Sequence, residues 1–423
     1  MKSLAPLQLR AACILVVFLM VAGCASSRHA LEEERSPYVP VVELEQEDIL
    51  HVPTGIKVTF DNLMDTIADS RVVYVGESHD NLEQHRVQLD ILRAMEARYP
   101  GRLAVGMEMF TRTSQAALDR WVKGEMSEKE MFGEWGANWG FDYEYYRAIL
   151  EFIREKRIPL VALNAPKELA REMSKKGLDG LSEKHRAALP EIDDKDPYYR
   201  ATVEAIYKDH THGSGVERFL QVQLLWDETM AESVANYLKA NRDNKMVVLA
   251  GGGHVQYGLG IPKRAFRRHP ASYSIVMPIT PRLYSLEKAE GKANDKDANG
   301  KNDGSHPRMM DIDMPDLPLL TADFMWAVDF KGLEGGKVMM GVQVSDEGGR
   351  VNVLAVAPKS AAERVGILAG DIILKVDGDE TKTFADLTYT LRGKKVGDKL
   401  KVALERSGAV VNYELEFNET DRR

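Results

Sequence analysis

Two glycine-histidine turns, Gly76-Glu77-Ser78-His79 and Gly251-Gly252-Gly253-His254, each follow directly on a short apolar run, Val72 to Val75 and Met246 to Ala250. Imidazoles exchange protons near neutral pH and bind metals, and a glycine three residues ahead lets other backbone come close. Two further apolar runs end in polar groups: Leu103 to Met107 leads into Glu108, and Leu160 to Leu163 leads into Asn164-Ala165-Pro166. This set supports three readings. His79, Glu108 and His254 could hold a divalent cation such as Mn, Co or Zn through mixed imidazole and carboxylate ligands. Glu77 or Glu108 could instead orient His79 or His254 as general base, so that Glu77, His79, Glu108 and His254 form a catalytic set for hydrolysis. Or the same groups form a buried polar network that closes the edge of a sheet.

The elements that must position these groups are legible as alternating patterns. Short, wholly apolar runs read as strands buried on both faces of a parallel sheet, and ligands of such sheets bind outside the carboxyl ends of the strands. Between about 56 and 285 these runs alternate with helical patterns, so the expected fold class is α/β, a three-layer parallel-sheet domain with a helical insert. The clearest helix spans 81–99, with Leu82, Val87, Leu89, Ile91, Leu92 and Met95 as its apolar stripe and Pro100-Gly101 as its stop. Helical patterns follow at 113–123, 142–156, 167–176, 182–189, 198–209 and about 216–240, with a last strand near Tyr273 to Met277.

Around the strand ends, His85 falls on the helix after the first turn, and Gln223 and Asp227 lie one turn apart on the long helix. Trp135, Trp139, Phe141, Tyr143, Tyr145 and Tyr146 crowd into twelve residues and suit either a core-lining loop and helix start or the wall of a flat, apolar ligand. Tyr199, Tyr207, His210 and His212 bring phenols and imidazoles together on one helix and the loop after it, groups that serve as axial ligands to ferric haem.

A chain of 423 residues is long enough for at least two domains. Asp and Glu number 65 against 56 Lys and Arg, a formal charge of -9, and no clustered basic face suggests a nucleic-acid partner. At the N-terminus, Lys2 and Arg10, the apolar Ala11 to Met20 and the small residues before Cys24 read as a secretory signal over 1–23. Val21-Ala22-Gly23-Cys24 resembles the lipobox of bacterial lipoproteins. The resemblance implies lipidation of Cys24, a tether over 24–55 and a membrane-anchored body outside the cytoplasm. Ala25 is not the aspartate associated with inner-membrane retention in that pattern, which points to the outer membrane, facing the periplasm. Removal of Lys2 and Arg10 takes the charge from -9 to -11. Cys13 leaves with the signal and Cys24 carries lipid, so neither a free thiol nor a disulfide is expected. Residues 286–325, rich in Asn, Asp, Lys, Gly and then proline, read as a linker.

Residues 335–418 resemble a PDZ domain of the kind attached to bacterial periplasmic proteases, through Gly341-Val342-Gln343-Val344, Ala357-Pro358-Lys359-Ser360-Ala361-Ala362, Gly366 to Ile373 and Val376-Asp377-Gly378. The resemblance implies a small β-rich domain that binds a protein C-terminus or extended peptide. Gly341 would open the carboxylate-binding loop, and Val342, Gln343 and Val344 would offer a strand edge opposite Leu387 and Leu391 on a helix from Phe384 to Leu391.

Residues 55–280 in turn resemble the ChaN family of haem-binding bacterial lipoproteins. The similarity rests on Gly76 to Asn81 with His85 and Gln88, on Gly106 to Phe110, Asn164-Ala165-Pro166, Trp226 to Ala231, and Gly251 to Val255 with Gly260-Ile261-Pro262. It implies an α/β domain on a lipid anchor with a role in haem or iron acquisition. The family's tyrosine haem ligand aligns to no single position here, and Tyr199, Tyr207, His210 and His212 stand as candidates. The wider superfamily of Tiki-type metalloproteases and erythromycin esterases implies the alternative, a metal-dependent hydrolase acting through Glu77, His79, Glu108 and His254 with PDZ-selected substrates. A third reading makes the PDZ domain the functional unit. Whether two bodies pair as a homodimer around a ligand stays open.

Overall fold

The computed structural model describes residues 43–209, 215–281, 314–315, 317–333 and 337–422. The signal, Cys24, His210, His212 and most of the 286–325 segment lie outside the described residues. The first unit is built on eight strands: β1 (Ile49–His51), β2 (Ile56–Val58), β3 (Val72–Val75), β4 (Leu103–Thr111), β5 (Leu160–Asn164), β6 (Lys245–Leu249), β7 (Tyr273–Ile279) and β8 (Phe324–Ala327). They join one sheet in the order β2-β1-β8-β7-β3-β6-β4-β5. Every pairing from β8 to β5 is parallel, and the β1–β2 hairpin adds antiparallel strands at the other edge.

Side chains alternate across the sheet and feed two cores. Val73, Val75, Val105, Met107, Val247 and Leu249 face a cluster that includes Leu92 and Met95 of the helix Leu82–Arg98 and Ile149 and Ile153 of Arg147–Lys156. Val72, Tyr74, Ala104, Met246 and Val248 face Met230, Val234 and Leu238 of the long helix Val216–Ala240, with Ile261 and Ala265 of Ile261–Arg268. A strand apolar at every position needs helices on both faces to bury it, and the three layers follow from that.

Two features depart from the sequence reading. The α/β unit does not end at 285: β8 lies within and just beyond the 286–325 segment and inserts between β1 and β7. Its Phe324-Met325-Trp326-Ala327 are all buried, an apolar island in a proline-rich setting. The aromatic segment before 142 is part helix and part loop: Trp135 lies on Glu128–Asn138, a helix started by a capping box in which Ser127 and Glu130 satisfy each other's backbone N–H groups, and Trp139 and Phe141 lie in the loop after it.

The second unit is an antiparallel sheet in the order β14-β13-β11-β10-β9, with β12 paired to β11. Its strands are β9 (Val342–Ser345), β10 (Val351–Val356), β11 (Ile372–Val376), β12 (Asp379–Glu380), β13 (Lys399–Arg406) and β14 (Ala409–Glu416). Leu387 of the helix Phe384–Leu391 closes their core, with Leu391 partly buried beside it. This helix also bears on the first unit: Tyr389 meets Phe132 with ring centroids 5.4 Å apart, Lys129 reaches Asp386 at 2.8 Å, and Arg392 reaches Glu128 at 3.0 Å and Glu144 at 2.8 Å.

Because β8 separates β1 from β7, its anchoring side chain should matter to the whole sheet. Phe324→Ala empties a site that is 1% exposed and is expected to cost about 3–5 kcal/mol in urea unfolding.

Candidate functional site

Glu77, His79, Glu108 and His254 meet because β3, β6 and β4 are consecutive in the sheet. Val75 pairs with Leu249 and Leu249 with Met107, so the next residues, Gly76, Ala250 and Glu108, stand at one level, where β3 and β6 end and β4 runs on to Thr111. The turn after β3 is pinned to the turn after β6 where Gly252 N–H donates to Glu77 O at 2.8 Å, and Gly251 N–H donates to the Glu108 Oε2 carboxylate at 2.7 Å. A side chain at 251 would bring its Cβ within 2.9 Å of His79 Cε1 and 3.5 Å of Glu108 Oε2, so glycine there is what lets the two turns share one pocket. Asn164, at the end of neighbouring β5, donates to Glu108 O at 3.1 Å.

Each imidazole is held at Nδ1 by a buried carboxylate. His79 Nδ1 lies 2.7 Å from Glu77 Oε1, and His254 Nδ1 lies 2.7 Å from Asp227 Oδ1. Glu77 is sealed from solvent and also accepts from Tyr146 Oη at 2.5 Å and Gln88 Nε2 at 3.0 Å. His85 Nε2 is 2.8 Å from its Oε2, at ion-pair distance but not aligned for a hydrogen bond. Asp227 in turn accepts from Tyr199 Oη at 2.7 Å, and His254 Nε2 stands 3.3 Å from Glu108 Oε1. His79 Nε2 has no hydrogen-bond partner among the described residues, and the side chain is 24% exposed.

Burial would raise the Glu77 carboxyl, but the close His85 ring and the hydrogen bond and charge of His79 outweigh it and hold it well below the usual range. Glu108 is likewise depressed, burial being overcome by His254, His79 and the Gly251 amide. Burial would lower both histidines, yet Glu77 raises His79, and Glu108 with Asp227 raises His254 well above its ordinary value. Tyr146 and Tyr199 are pushed well above the ordinary phenol range by burial and by Glu77 and Asp227 respectively. The pocket is therefore two carboxylate-imidazole pairs, each steadied by a neutral phenol.

The sequence-derived candidates fall out as follows. His79, Glu108 and His254 converge, but Glu77, Glu108 and Asp227 are turned onto the protein's own donors. No group of three or more His, Cys, Asp or Glu side chains among the described residues stands ready to hold a bare ion. The divalent-cation reading loses its ligand set for that reason. Tyr199 is buried and donates to Asp227, so it positions His254 through that carboxylate. Tyr207 packs on Phe219, its ring 5.5 Å away, on the helix Pro197–Asp209. His210 and His212 lie outside the described residues. Gly341, at φ +79°, lies directly before β9, and Val342, Gln343 and Val344 lie on that strand, which among the described residues pairs with β10 alone.

Several contributors escape the candidate set. Asp227 was visible only as one face of the long helix, and Tyr146 only as one of six crowded aromatics. Trp139 and Phe141 flank the His79 ring, each with centroids 4.9 Å away, and Phe141 is 41% exposed. The spacing of Tyr146 and Phe141 from the histidine carries no periodic signal, since the contact is made between distant elements.

Comparison with known proteins adds two domains. Residues 63–265 match the family model described as haem-binding uptake, Tiki superfamily, ChaN, and residues 338–417 match the PDZ domain model. A solved structure titled as cofacial heme binding to ChaN of Campylobacter jejuni is similar at 17% identity and a TM-score of 0.48, over 69% of this chain and 100% of that one. An HtrA-type protease AlgW with decapeptide is similar at 22% identity and a TM-score of 0.18, over 20% of this chain and 29% of that one. The periplasmic serine endoprotease DegP of Escherichia coli K12 is 37% identical over 70 residues, 16% of this chain. The chain spans only 15% of the length of that curated relative.

The raised pKa of His254 has a measurable consequence. Its stabilising contribution is complete below the unfolded value of 6.5 and is lost as pH rises through the higher folded value. Asp227→Asn removes one of the partners that raise it. Urea unfolding from about pH 6 to about pH 9 should show the unmodified protein losing stability more steeply than the variant, by about 1.4 kcal/mol for each unit of pKa difference removed. Parallel curves would contradict the pairing.

Proposed function

We propose that this chain, with a ChaN-type domain over 63–265 and a PDZ domain over 338–417, is a lipid-anchored haem-binding protein of the bacterial cell envelope. The observation that carries the reading is the match of the first domain to a haem-binding uptake family over 63–265, a span that includes Glu77, His79, Glu108, Asp227 and His254 of the strand-edge pocket. The donor set fits the same ligand. A bare cation asks the protein for three or more ligands, whereas haem brings its own equatorial nitrogens and asks for an axial donor and an apolar wall. Imidazoles fixed at Nδ1 by carboxylates, beside Trp139 and the exposed Phe141, meet that demand. Haem, when bound, would supply an iron centre and a flat, mostly apolar ring bearing carboxylates; Glu77 and Asp227 fix the orientation of His79 and His254, and Trp139 and Phe141 would give the ring an apolar contact.

Anchoring through Cys24 at the outer membrane, facing the periplasm, belongs to this proposal and is supported by the lipobox-like Val21-Ala22-Gly23-Cys24. Among the described residues no helix is long and apolar enough to cross a membrane. The PDZ module would take an extended peptide or protein C-terminus along the open edge of β9, its carboxylate in the loop at Gly341. A role in holding haem, or iron taken from it, near a protein partner follows from joining the two modules.

Titrating haemin into the purified full chain should give a saturable Soret band at micromolar concentration, and absence of saturation overturns the reading. The PDZ proposal has a separate handle. A Cβ at 341 would sit 2.1 Å from Ser360 Cβ at a positive φ, so Gly341→Ala should abolish binding of C-terminal peptides while leaving the haemin titration unchanged.

A further inference from the structure

One wall of the PDZ peptide groove is gripped from outside the PDZ domain. Val342 and Val344 of β9 and Leu391 of the helix Phe384–Leu391 pack partly buried on one core, and the Phe384 N–H donates to Asp346 Oδ2, directly after β9, at 2.9 Å. Helical spacing sends Ala385, Tyr389 and Arg392 to a different face from Leu387 and Leu391. That face meets the first unit, and both ends of the helix are held there. At its start, Asp386 completes the capping box through Oδ2, while its Oδ1 takes Lys129 Nζ at 2.8 Å. At its end, the C-cap residue Arg392 reaches Glu128 Oε1 at 3.0 Å and Glu144 Oε1 at 2.8 Å, with its guanidinium 4.1 Å from the centre of the Tyr389 ring. Between the two ends, Tyr389 Oη donates to Glu128 Oε2 at 3.4 Å, and Ala385 lies opposite Gly133, where a Cβ would stand 3.6 Å from its own.

We propose that Glu128, Lys129 and Glu144 of the first unit are positioning residues for the PDZ groove: they hold the helix Phe384–Leu391 as a preset wall opposite β9, so that a peptide adding to that edge does not have to order it. The inference rests on the peptide-binding half of the reading above and adds to it residues that lie outside the PDZ domain. The helix needs such support. It has eight residues and one fully buried side chain, Leu387, and helices this short are marginal without packing. The receiving groups are themselves fixed by their own module. Glu128, Lys129, Phe132 and Gly133 share one face of the helix Glu128–Asn138, and Arg147 pairs with Glu128 at 3.1 Å and with Glu144 at 3.7 Å. An isolated exposed ion pair contributes little, but these pairs share partners and are partly buried, so they act as a network. A wall ordered in advance spares the bound state the cost of fixing it, which is how preorganisation raises affinity.

The test uses the full chain and a panel of fluorescein-labelled decapeptides ending in a free Val, Leu, Ile or Phe carboxylate, read by fluorescence anisotropy. Replacing Glu128, Lys129 and Glu144 together by glutamine should weaken the best of these peptides about three- to tenfold, chiefly through faster dissociation. Arg392→Gln should weaken it by a similar factor. Combining the two sets should add little, because both remove the same grip, whereas independent effects would multiply. Unchanged circular dichroism shows that the variants are folded. Affinity within about twofold of the unmodified chain in every variant overturns the proposal. So does a gain in affinity, which would mean that the first unit holds the groove shut, and so does a multiplied loss in the combined variant, which would mean that the groups act separately. If no peptide of the panel binds the unmodified chain, the peptide reading itself has failed, and the positioning role with it.

Discussion

A negative charge with no access to water, the Glu77 carboxylate, is the constraint around which the first domain is arranged. Such a charge persists only where several donors replace its hydration, and losing one partner of a buried charge costs about 3–5 kcal/mol. Here the partners come from three places: His79 from the same turn, Gln88 with His85 at ion-pair distance from the helix Leu82–Arg98, and Tyr146 from the start of Arg147–Lys156. The turn after β3, the helix that follows it and the aromatic segment are therefore tied to a single side chain. The second pair repeats the plan at lower density, with Tyr199, Asp227 and His254 drawn from three separate elements. Function and folding share these groups, so the site has little freedom to move independently of its scaffold.

Much of this arrangement could be read from the chain. The strand runs, the long helix at 216–240 and the helix at 384–391 stand where the apolar patterns put them, because a stripe or an alternation directly reports which faces are buried. The strand order could not be read in that way. Only the pairing of β3 with β6 and of β6 with β4 turns four scattered polar ends into one pocket, and that pairing is a tertiary event. The helix Glu128–Asn138 was obscured by Gly133 and Gly136 and by clustered aromatics, although Ser127 and Glu130 announced its start. Asp227 was ambiguous for a related reason: the long helix is buried along much of its length, so periodicity does not tell which side faces ligand and which faces core.

The same uncertainty separated the metal and haem readings. Residue types alone admit both, since imidazole and carboxylate serve either. The family match favours haem, and the hydrogen bonds weigh against a bare ion held by these carboxylates, since each is already aimed at an imidazole or a backbone amide. What the pocket offers is orientation of rings, not a cage of oxygens. The PDZ helix Phe384–Leu391 lies against Glu128–Asn138, the helix that carries Trp135 and leads into Trp139, so the two modules meet close to the aromatic wall.

The return of β8 to the first sheet has a topological result. The chain leaves the α/β unit after β7, passes through residues 282–313, and comes back to lay β8 between β1 and β7 before continuing to the PDZ domain. A protease nick anywhere in that excursion would leave two polypeptides and still one particle, held by ladder hydrogen bonds and by the buried Phe324, Met325 and Trp326. Cleavage there breaks the covalent thread without parting the modules.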